Sequence, residues 1–431
     1  MAKYRALSET LPPSISEVPA IIDSRRSISY QEYHRLTAGA ASWMKEAGIE
    51  KYERVAIISD NSIEYVITLM GLLEIGAVAC PVSTRNPAGV TENCLRRIQC
   101  DRVIGSERCR LESQSLQWIP MPNLNSLGEA KGKISGIDMD KEATILFTSG
   151  TTAEPKAVMH TFGNHYYNAL GSNLNIELAP GDRWLLSLPL YHVGGLGIVF
   201  RCLLSGACVV LPQLGQPVGE SIDEFEITHL SLVPTQLKML LEEPSAEASM
   251  RRVKVCLVGG GFLPENLIEE ANKIGLPLFT TYGLTEMASQ VTTTAPQDDR
   301  DKLCTSGRVL KHREIRISND GEILVKGKTL FKGYVSQTGI ETPFDGAGWF
   351  ATGDLGRIDA DDYLVVTGRK DNMFVSGGEN IYPEEIEEAI RQLAGIDDAI
   401  VVPVDDEKFG QRPVAFVKYV PGKERSPEIL L

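Results

Sequence analysis

The first third of the chain alternates between two hydrophobic spacings. A β-branched run at residues 54–59 is followed by apolar residues at helical spacing over 63–73, and then by Gly76, a residue type that often ends helices. A second buried strand is expected at residues 77–82. Strands that alternate with amphipathic helices predict a parallel sheet covered by helices.

This alternation continues through the middle of the chain and then changes. Further short apolar strands are expected at residues 184–188, 207–211, 229–233 and 253–258. Beyond Gly307, turns rich in Gly and Asp separate the strand candidates, which is typical of an antiparallel sheet. These later candidates are residues 314–317, 322–325 and 363–367.

The end of the chain predicts a small α+β unit. A helix is expected at residues 383–393, and strands are expected at 399–404 and 414–419. The charged turn before this unit contains Asp371. Such a turn suits a hinge, because it can absorb backbone rotation while a domain moves.

The predicted fold class is therefore α/β with an α+β tail. A large body, residues 1–368, would combine helix-flanked sheets with an antiparallel β subdomain and would bind the ligands. A small mobile domain, residues 369–431, would follow it.

Composition and charge exclude several classes of partner. The chain has 431 residues, of which 43% are hydrophobic and 23% charged, as expected for a globular protein of more than one domain. Its formal net charge of −14 argues against nucleic acids and anionic membranes, which would be repelled. A cytoplasmic protein is expected, since neither a secretory signal nor a long apolar run is found. The eight cysteines form no CxxC pair and are interpreted as reduced thiols, with a structural zinc site as the alternative.

Residues 148–156 form the strongest local motif. An apolar strand runs into a loop of hydroxyl residues and glycine that ends in a lysine. Several donors beside a cation are what a polyphosphate requires, and the glycine allows a tight turn. Composition alone would equally allow a Ser/Thr-rich surface loop. The candidate phosphate ligands are Thr148, Ser149, Gly150, Thr151, Thr152 and Lys156.

Five motifs together resemble the signature of the adenylate-forming superfamily, which includes the acyl-CoA synthetases. They occur in that family's order over roughly residues 25–420. One match would carry little weight, whereas five in order are specific. The matching segments are residues 148–156, 191–195, 282–286, 352–354, and 368–371 leading to 376–380.

The resemblance implies a site for ATP and Mg²⁺. In that family the counterpart of Tyr282 stacks on adenine, that of Thr285 contacts phosphate, and that of Glu286 ligates the metal. Gly283 belongs to the same motif and is included in the nucleotide site. One carboxylate suffices for a hard cation that keeps several water ligands. Taken alone, this motif is more typical of a strand-to-helix junction with a capping threonine.

The resemblance also implies how the base and ribose are held. The glycines Gly259, Gly260 and Gly261 follow an apolar strand and permit close approach to a flat base. Asp354 would accept both ribose hydroxyls, and Arg369 would reach the ribose and phosphate. Without the resemblance, the three glycines would be interpreted as a flexible turn, Asp354 as a turn residue and Arg369 as a solvated surface charge.

Two further positions take their roles from the resemblance. His192 would border the tunnel for the acyl group and pantetheine, unless it is a core histidine. Asp371 would be the hinge, unless it is a solvated turn charge. The implied catalytic residues are Lys156, His192, Thr285, Glu286 and Arg369.

Within the superfamily, four segments most resemble the o-succinylbenzoate–CoA ligases of menaquinone or phylloquinone biosynthesis. The segments are residues 184–192, 230–236, 285–289 and 409–413. The acid of those enzymes is a dicarboxylate, so its second carboxylate needs a partner. Arg201 and Ser289 are the candidate partners of this carboxylate. The alternative for Arg201 is a solvent-exposed cation on the surface of a helix.

The implied reaction has two halves. A substrate carboxylate attacks the α-phosphorus of ATP and releases pyrophosphate, and the thiol of coenzyme A then displaces AMP. The family's catalytic lysine near the end of the small domain has no counterpart before Leu431, since Lys423 follows the last strand too closely. A truncated small domain is therefore expected, with weak adenylation and retained nucleotide binding.

Other functions stay open on the sequence alone. They are another aryl- or fatty-acyl-CoA ligase, an adenylation domain that loads a carrier protein, a luciferase-like oxygenase, and a non-catalytic nucleotide-binding protein. A homodimer is one assembly that the sequence allows.

Overall fold

The computed structural model describes residues 3–4, 13–128, 137–148, 155–243, 247–376, 378–393, 395–406, 408–420 and 422. Its helices are α1 (Tyr30–Glu46), α2 (Ile63–Ile75), α3 (Ala88–Arg97), α4 (Phe162–Asn173), α5 (Val193–Ser205), α6 (Val218–Phe225), α7 (Pro234–Leu241), α8 (Glu247–Met250), α9 (Glu265–Lys273), α10 (Arg300–Leu303) and α11 (Pro383–Arg391). No helix in these ranges is both long and apolar enough to cross a membrane.

The strands up to residue 258 are β1 (Lys3–Tyr4), β2 (Pro19–Ile22), β3 (Ser27–Ser29), β4 (Arg54–Ile58), β5 (Val78–Pro81), β6 (Arg102–Gly105), β7 (Gln117–Pro120), β8 (Ile137–Asp138), β9 (Glu142–Phe147), β10 (Ala157–Thr161), β11 (Arg183–Leu185), β12 (Cys208–Val210), β13 (His229–Leu232) and β14 (Val255–Val258). The later strands are β15 (Leu278–Leu284), β16 (Ser289–Thr293), β17 (Arg308–Val309), β18 (Arg313–Ile317), β19 (Glu322–Gly327), β20 (Gly333–Ser336), β21 (Gly339–Glu341), β22 (Phe350–Ile358), β23 (Leu364–Arg369), β24 (Phe374–Ser376), β25 (Glu379–Ile381), β26 (Ile396–Asp406) and β27 (Gly410–Tyr419).

Two large sheets form the body, and helices cover them as the hydrophobic spacing predicts. The first has the strand order β21-β20-β10-β9-β5-β4-β6-β7, with parallel pairing from β9 to β7. The second has the order β17-β16-β15-β14-β13-β11-β12-β2-β3 and is parallel from β15 to β2. The largest apolar core joins both sheets through α1, α2 and α5.

Local signals set the helix ends. Gly76 caps the C-terminus of α2 with φ of 77°, in the left-handed region that glycine adopts without steric cost. At the N-terminus of α1, the side chain of Ser29 accepts a hydrogen bond from the backbone N–H of Glu32. The predicted end of α2 is thus confirmed.

Two smaller antiparallel sheets complete the fold. The order β18-β19-β22-β23 forms the predicted antiparallel subdomain, and β25-β24-β27-β26 with α11 forms the α+β tail. The predicted fold class is confirmed. The tail rests on the body through a 2.5 Å ion pair between Lys238 and Asp397, and through Arg391 over the ring of Phe262.

One long-range step was absent from the sequence-based picture. Strands β20 and β21 follow the antiparallel subdomain's first hairpin, yet they return to the first large sheet by pairing with β10. Tyr334 on β20 is thereby the register partner of Val158 on β10. Because of this pairing, Tyr334 lies close to the end of the 148–156 segment, although it comes much later in the chain.

Candidate active site

Most of the predicted site residues converge on one cavity of about 1020 Å³. It opens where the carboxyl ends of the central parallel strands meet the antiparallel subdomain, the usual place for ligands in open α/β sheets. Predicted residues in its wall are Thr148, Lys156, His192, Arg201, Gly259, Gly260, Gly283, Thr285, Glu286, Ser289, Asp354, Arg369 and Asp371.

The remaining predicted residues lie elsewhere. Tyr282 is behind the wall and reaches the site through its hydroxyl, which donates to Asp354 at 2.6 Å. Gly261 lies next to the ring of Pro234. The loop residues Ser149, Gly150, Thr151 and Thr152 are outside the described residues, as is Lys423.

A β-hairpin positions the two described ends of the predicted phosphate loop. Thr148 follows β9 and Lys156 precedes β10, and these strands pair in antiparallel register. The backbone N–H of Thr148 donates to the carbonyl of Lys156 at 3.0 Å, which closes the neck of the hairpin. Both residues therefore enter the cavity from the same edge of the first sheet.

Glu286 projects into the cavity from a 3₁₀ turn, Thr285–Met287, that follows β15. Its Oε1 accepts a 2.7 Å hydrogen bond from the hydroxyl of Tyr334. The same tyrosine ring lies 5.1 Å from the ammonium nitrogen of Lys156. Sequence reasoning missed Tyr334, because only the pairing of β20 with β10 brings it here.

Strand register brings Asp354 and Arg369 together, since they are direct partners across β22 and β23. Oδ1 of Asp354 accepts from the guanidinium at 2.8 Å, while Oδ2 accepts from Tyr282. Burial raises the pKa of Asp354 above its usual value, although the Tyr282 and Arg369 hydrogen bonds oppose that rise. Burial also raises the pKa of the Tyr282 hydroxyl, which remains a donor.

Most charges of the wall are paired with each other. Arg369 reaches Asp371 at 3.1 Å as well as Asp354. Lys370 contacts Asp320 at 2.7 Å and Glu322 at 2.9 Å. On that side of the cavity, both cations are therefore held by neighbouring carboxylates.

Two cavity cations, Lys156 and Arg201, have no carboxylate partner among the described residues. Arg201 is only 1% exposed, and its buried Nε and Nη1 atoms have no hydrogen-bond partner in the part of the chain that the structure describes. Its guanidinium lies 5.1 Å from the ring centre of Trp184, and burial lowers its pKa to about 10. The arginine thus stays charged near neutrality, and the surface-cation interpretation is wrong. An unpaired buried charge is costly unless a ligand compensates it.

His192 occupies the N-cap position of α5 and is exposed toward the cavity. The core-histidine interpretation is therefore wrong. Loss of hydration lowers the pKa of His192, and the positive charge of Arg85 lowers it further. The imidazole is consequently neutral at physiological pH and available as a hydrogen-bonding group.

Ser289 lies next to this histidine's helix, on a strained piece of backbone. Its φ is 128° and that of Ala288 is 56°, values that residues with a side chain rarely adopt. Gly283 permits the conformation, because a Cβ there would lie 2.3 Å from the carbonyl oxygen of Ser289. The strain places Ser289 beside Gly197 and Arg201 in the cavity wall.

A buried polar chain behind the wall was not predicted. His160 shares a hydrogen bond with the backbone carbonyl of Thr285 at 2.7 Å through Nε2, so Nε2 carries the proton. The hydroxyl of Thr144 lies 3.4 Å from the other nitrogen of His160 and 2.7 Å from Nε2 of His165. The chain ties β9 and β10 to the turn that presents Thr285.

This polar chain predicts an acid-sensitive fold. Burial lowers the pKa of His160 from 6.5 to about 4 and that of His165 well below 6.5. Both are neutral when folded and take up protons on unfolding, so their stabilisation is complete above pH 6.5 and is lost as the pH falls toward 4.

We expect the variant His160→Gln, which can still donate to Thr285 but cannot titrate, to lose part of this pH dependence. The measurement is the thermal unfolding midpoint at several pH values between 4 and 7. Parallel curves for the two proteins would contradict the assignment.

The comparison with known families agrees with this geometry. The profile of the AMP-binding enzyme family matches residues 15–335, and that of the AMP-binding enzyme C-terminal domain matches residues 385–430. A 2-succinylbenzoate–CoA ligase of Bacillus velezensis is 35% identical over 415 residues, covering 92% of this chain and 84% of its own length. The chain belongs to the 2-succinylbenzoate–CoA ligase family of AMP-binding enzymes.

Solved members of this ligase family share the fold. The o-succinylbenzoate-CoA synthetase (MenE) from Bacillus subtilis in complex with its acyl-adenylate intermediate superposes with a TM-score of 0.88 at 31% identity, covering 100% of this chain and 91% of that one. The same enzyme with ATP and a magnesium ion gives a TM-score of 0.84 at 32% identity, covering 95% and 87%.

Proposed function

We propose that this chain activates 2-succinylbenzoate with ATP and transfers it to coenzyme A, as one step of menaquinone biosynthesis. A carboxylate oxygen bonds to the α-phosphorus of ATP as the bond to pyrophosphate breaks. The thiol sulfur then bonds to the acyl carbon, AMP leaves, and the thiol proton is released. The carrying observation is that one cavity contains two cations, Lys156 and Arg201, that have no carboxylate partner among the described residues, which suits a ligand with anionic groups at separate points.

Pre-organised acceptors support the nucleotide end of the proposal. Each oxygen of Asp354 already accepts one hydrogen bond and keeps further lone pairs, so ribose hydroxyls can donate to a carboxylate that is fixed in place. Arg369 neutralises this buried carboxylate and would reach phosphate oxygens. Gly259 and Gly260 would allow the base to approach the backbone closely.

The residues present fit a magnesium ion at the phosphates. Glu286 faces the cavity beside Thr285 and Lys156, and its Oε2 has no partner in the described part of the chain. Carboxylate oxygen is the ligand that Mg²⁺ prefers, so Glu286 would hold the ion. When bound, the ion neutralises charge on phosphate oxygens. Lys156 would add a second positive charge, and Thr148 and Thr285 would donate hydrogen bonds.

The acid would bind at Arg201, the second of these two cations. Arg201 offers two buried donors to the carboxylate that is not activated, and Ser289 lies beside it. Neutral His192 would border the reacting carboxylate and the path of the pantetheine chain. Little covalent work is assigned to these side chains, because alignment and charge neutralisation supply most of the rate in phosphoryl-group chemistry.

The proposal includes a mobile small domain, residues 369–431, joined to a body of residues 1–368 at a hinge near Asp371. The turn between β23 and β24 supports it, because few residues connect the two parts there. Beyond this turn, the contacts between the described residues of the small domain and the body include the ion pair of Lys238 with Asp397 and the stacking of Arg391 on Phe262. Rotation about the turn would admit coenzyme A after the adenylate has formed.

The deciding experiment is thioester formation followed by mass spectrometry. The protein is incubated with ATP, Mg²⁺, coenzyme A and either 2-succinylbenzoate, benzoate or a fatty acid. We expect a thioester of 2-succinylbenzoate and AMP in equal amounts, with at least about tenfold lower rates for the other acids, because these lack a carboxylate for Arg201.

A higher rate with benzoate or a fatty acid would contradict the assigned substrate. If AMP forms with no thioester when coenzyme A is present, the ligase function itself fails. Oxygen uptake during the reaction would point instead to an oxygenase built on the same adenylate chemistry.

A further inference from the structure

Tyr334 connects three parts of the cavity that are far apart in the chain. Its hydroxyl donates to Oε1 of Glu286 at 2.7 Å, and Lys156 lies over its ring at 5.1 Å from the centroid. Its backbone pairs with Val158 on β10, the strand that Lys156 precedes. One side chain thus touches both the anionic group and the cationic group at the phosphate end.

The ring itself is held rigidly. Phe331 and Phe350 pack edge-on against it, with ring centres at 4.8 Å and 6.5 Å. Phe331 is fixed in turn, because its backbone N–H donates to the carbonyl of Glu286 at 2.7 Å.

These contacts restrict how Glu286 can present its carboxylate. A free glutamate samples several rotamers, and ordering it on ligand binding costs free energy. A hydrogen bond that occupies Oε1 selects one orientation of this cavity-lining carboxylate and leaves Oε2 without a hydrogen-bond partner among the described residues. Lys156 is restricted in the same way, since the tyrosine ring attracts its ammonium group.

We infer that Tyr334 is a positioning residue that pre-orients Glu286 for a divalent cation and Lys156 for phosphate. The inference rests on the proposed function, because it concerns the same ATP and metal site. The tyrosine hydroxyl would act on cation binding through Glu286, and the tyrosine ring would act on nucleotide binding through Lys156. One variant can remove the hydroxyl alone, and another can remove the whole ring.

The test measures binding rather than turnover. Mn²⁺ serves as the probe ion, and its binding to the protein with a non-hydrolysable ATP analogue is followed by loss of the free-ion signal in electron paramagnetic resonance. Affinity for the analogue is measured separately in EDTA. We expect Tyr334→Phe to weaken Mn²⁺ binding about tenfold, a loss typical of outer-sphere partners, with unchanged analogue affinity in EDTA. Tyr334→Leu, which also removes the ring, should weaken both.

Tyr363→Phe is the matched control, since it also removes a tyrosine hydroxyl that donates to a carboxylate, in this case Asp298 at 2.5 Å outside the cavity. It should leave both affinities unchanged. In a Glu286→Gln background, Tyr334→Phe should have no further effect on Mn²⁺ binding, because the tyrosine acts through that carboxylate.

Three results separate the possible failures. Equal Mn²⁺ affinity in the wild type and Tyr334→Phe overturns the inference, and so does an undiminished effect of Tyr334→Phe when Glu286 is already replaced. If the wild-type protein binds neither the analogue nor Mn²⁺ with it, the proposed nucleotide site fails instead. A thermal unfolding midpoint close to that of the wild type shows that each variant is folded.

Discussion

Replacing Glu286 with glutamine is expected to slow adenylate formation by about 10²- to 10³-fold, the loss typical when one preorganised electrostatic contact is removed from an active site. Glutamine keeps the shape of the side chain and an oxygen that can accept from Tyr334, but it removes the negative charge next to the phosphates. The defect should therefore lie in metal-dependent chemistry rather than in folding. ATP–pyrophosphate exchange with saturating 2-succinylbenzoate measures it.

Glu142→Gln provides the control for this prediction. Glu142 begins β9, and it pairs with Lys332 at 2.8 Å outside the cavity. Exposed pairs of this kind contribute little, so the exchange rate should stay within about twofold of wild type. A Glu286→Gln protein with an exchange rate as high as that of Glu142→Gln would remove Glu286 from the metal site.

Replacing Arg201 with methionine is expected to weaken use of the diacid while leaving the fold as stable or more stable. Hydrogen bonds to a charged group contribute about 1.5–3 kcal/mol, so the KM for 2-succinylbenzoate should rise about 10- to 100-fold. The free protein, by contrast, loses a buried cation whose Nε and Nη1 have no hydrogen-bond partner among the residues that the structure describes. Methionine keeps an unbranched apolar chain against Trp184.

Two monoacids make this test specific. One is 4-oxo-4-phenylbutanoate, which lacks the aromatic carboxylate, and the other is 2-butanoylbenzoate, which lacks the aliphatic one. Only the monoacid that keeps the activated carboxylate can be a substrate. The wild type should strongly prefer the diacid to that monoacid, and Arg201→Met should abolish the preference. An unchanged preference would show that the second carboxylate binds elsewhere.

Arg313→Met is the matched control, because Arg313 is similarly buried but fully engaged. Its guanidinium donates to the backbone carbonyls of Gln290, Asn168 and Lys311. Its removal should lower the thermal midpoint and leave the preference for the diacid intact. The two buried arginines are thus expected to differ in the sign of their effect on stability.

Sequence reasoning reached the parts of the site that short stretches of chain encode. The strand, the hydroxyl loop and Lys156 are contiguous, and the hydrophobic spacing gave seven of the seventeen strands of the two large sheets within a few residues, mostly the central parallel ones. The burial of Arg201 also had a signal, because α5 is apolar on every side apart from this residue and Ser205 at its end. A helix of that composition is buried as a whole.

The missed residues depend on pairing between distant strands. Tyr334 reaches the site only because β20 joins β10 across more than 150 residues of chain, and no local pattern encodes that partnership. His160 looks like an ordinary alternating strand residue until the turn at Thr285 is placed against it. Pairing between distant strands depends on how the two sheets pack as a whole, and the local spacing of hydrophobic residues does not encode it.

The forked guanidinium of Arg369 has a thermodynamic consequence. One branch holds Asp354, where ribose would bind, and the other holds Asp371 at the connection to the small domain. A ligand that draws the arginine toward one carboxylate alters its hold on the other. If the small domain rotates about this connection as proposed, linkage requires reciprocity: the factor by which nucleotide favours one orientation equals the factor by which that orientation favours nucleotide.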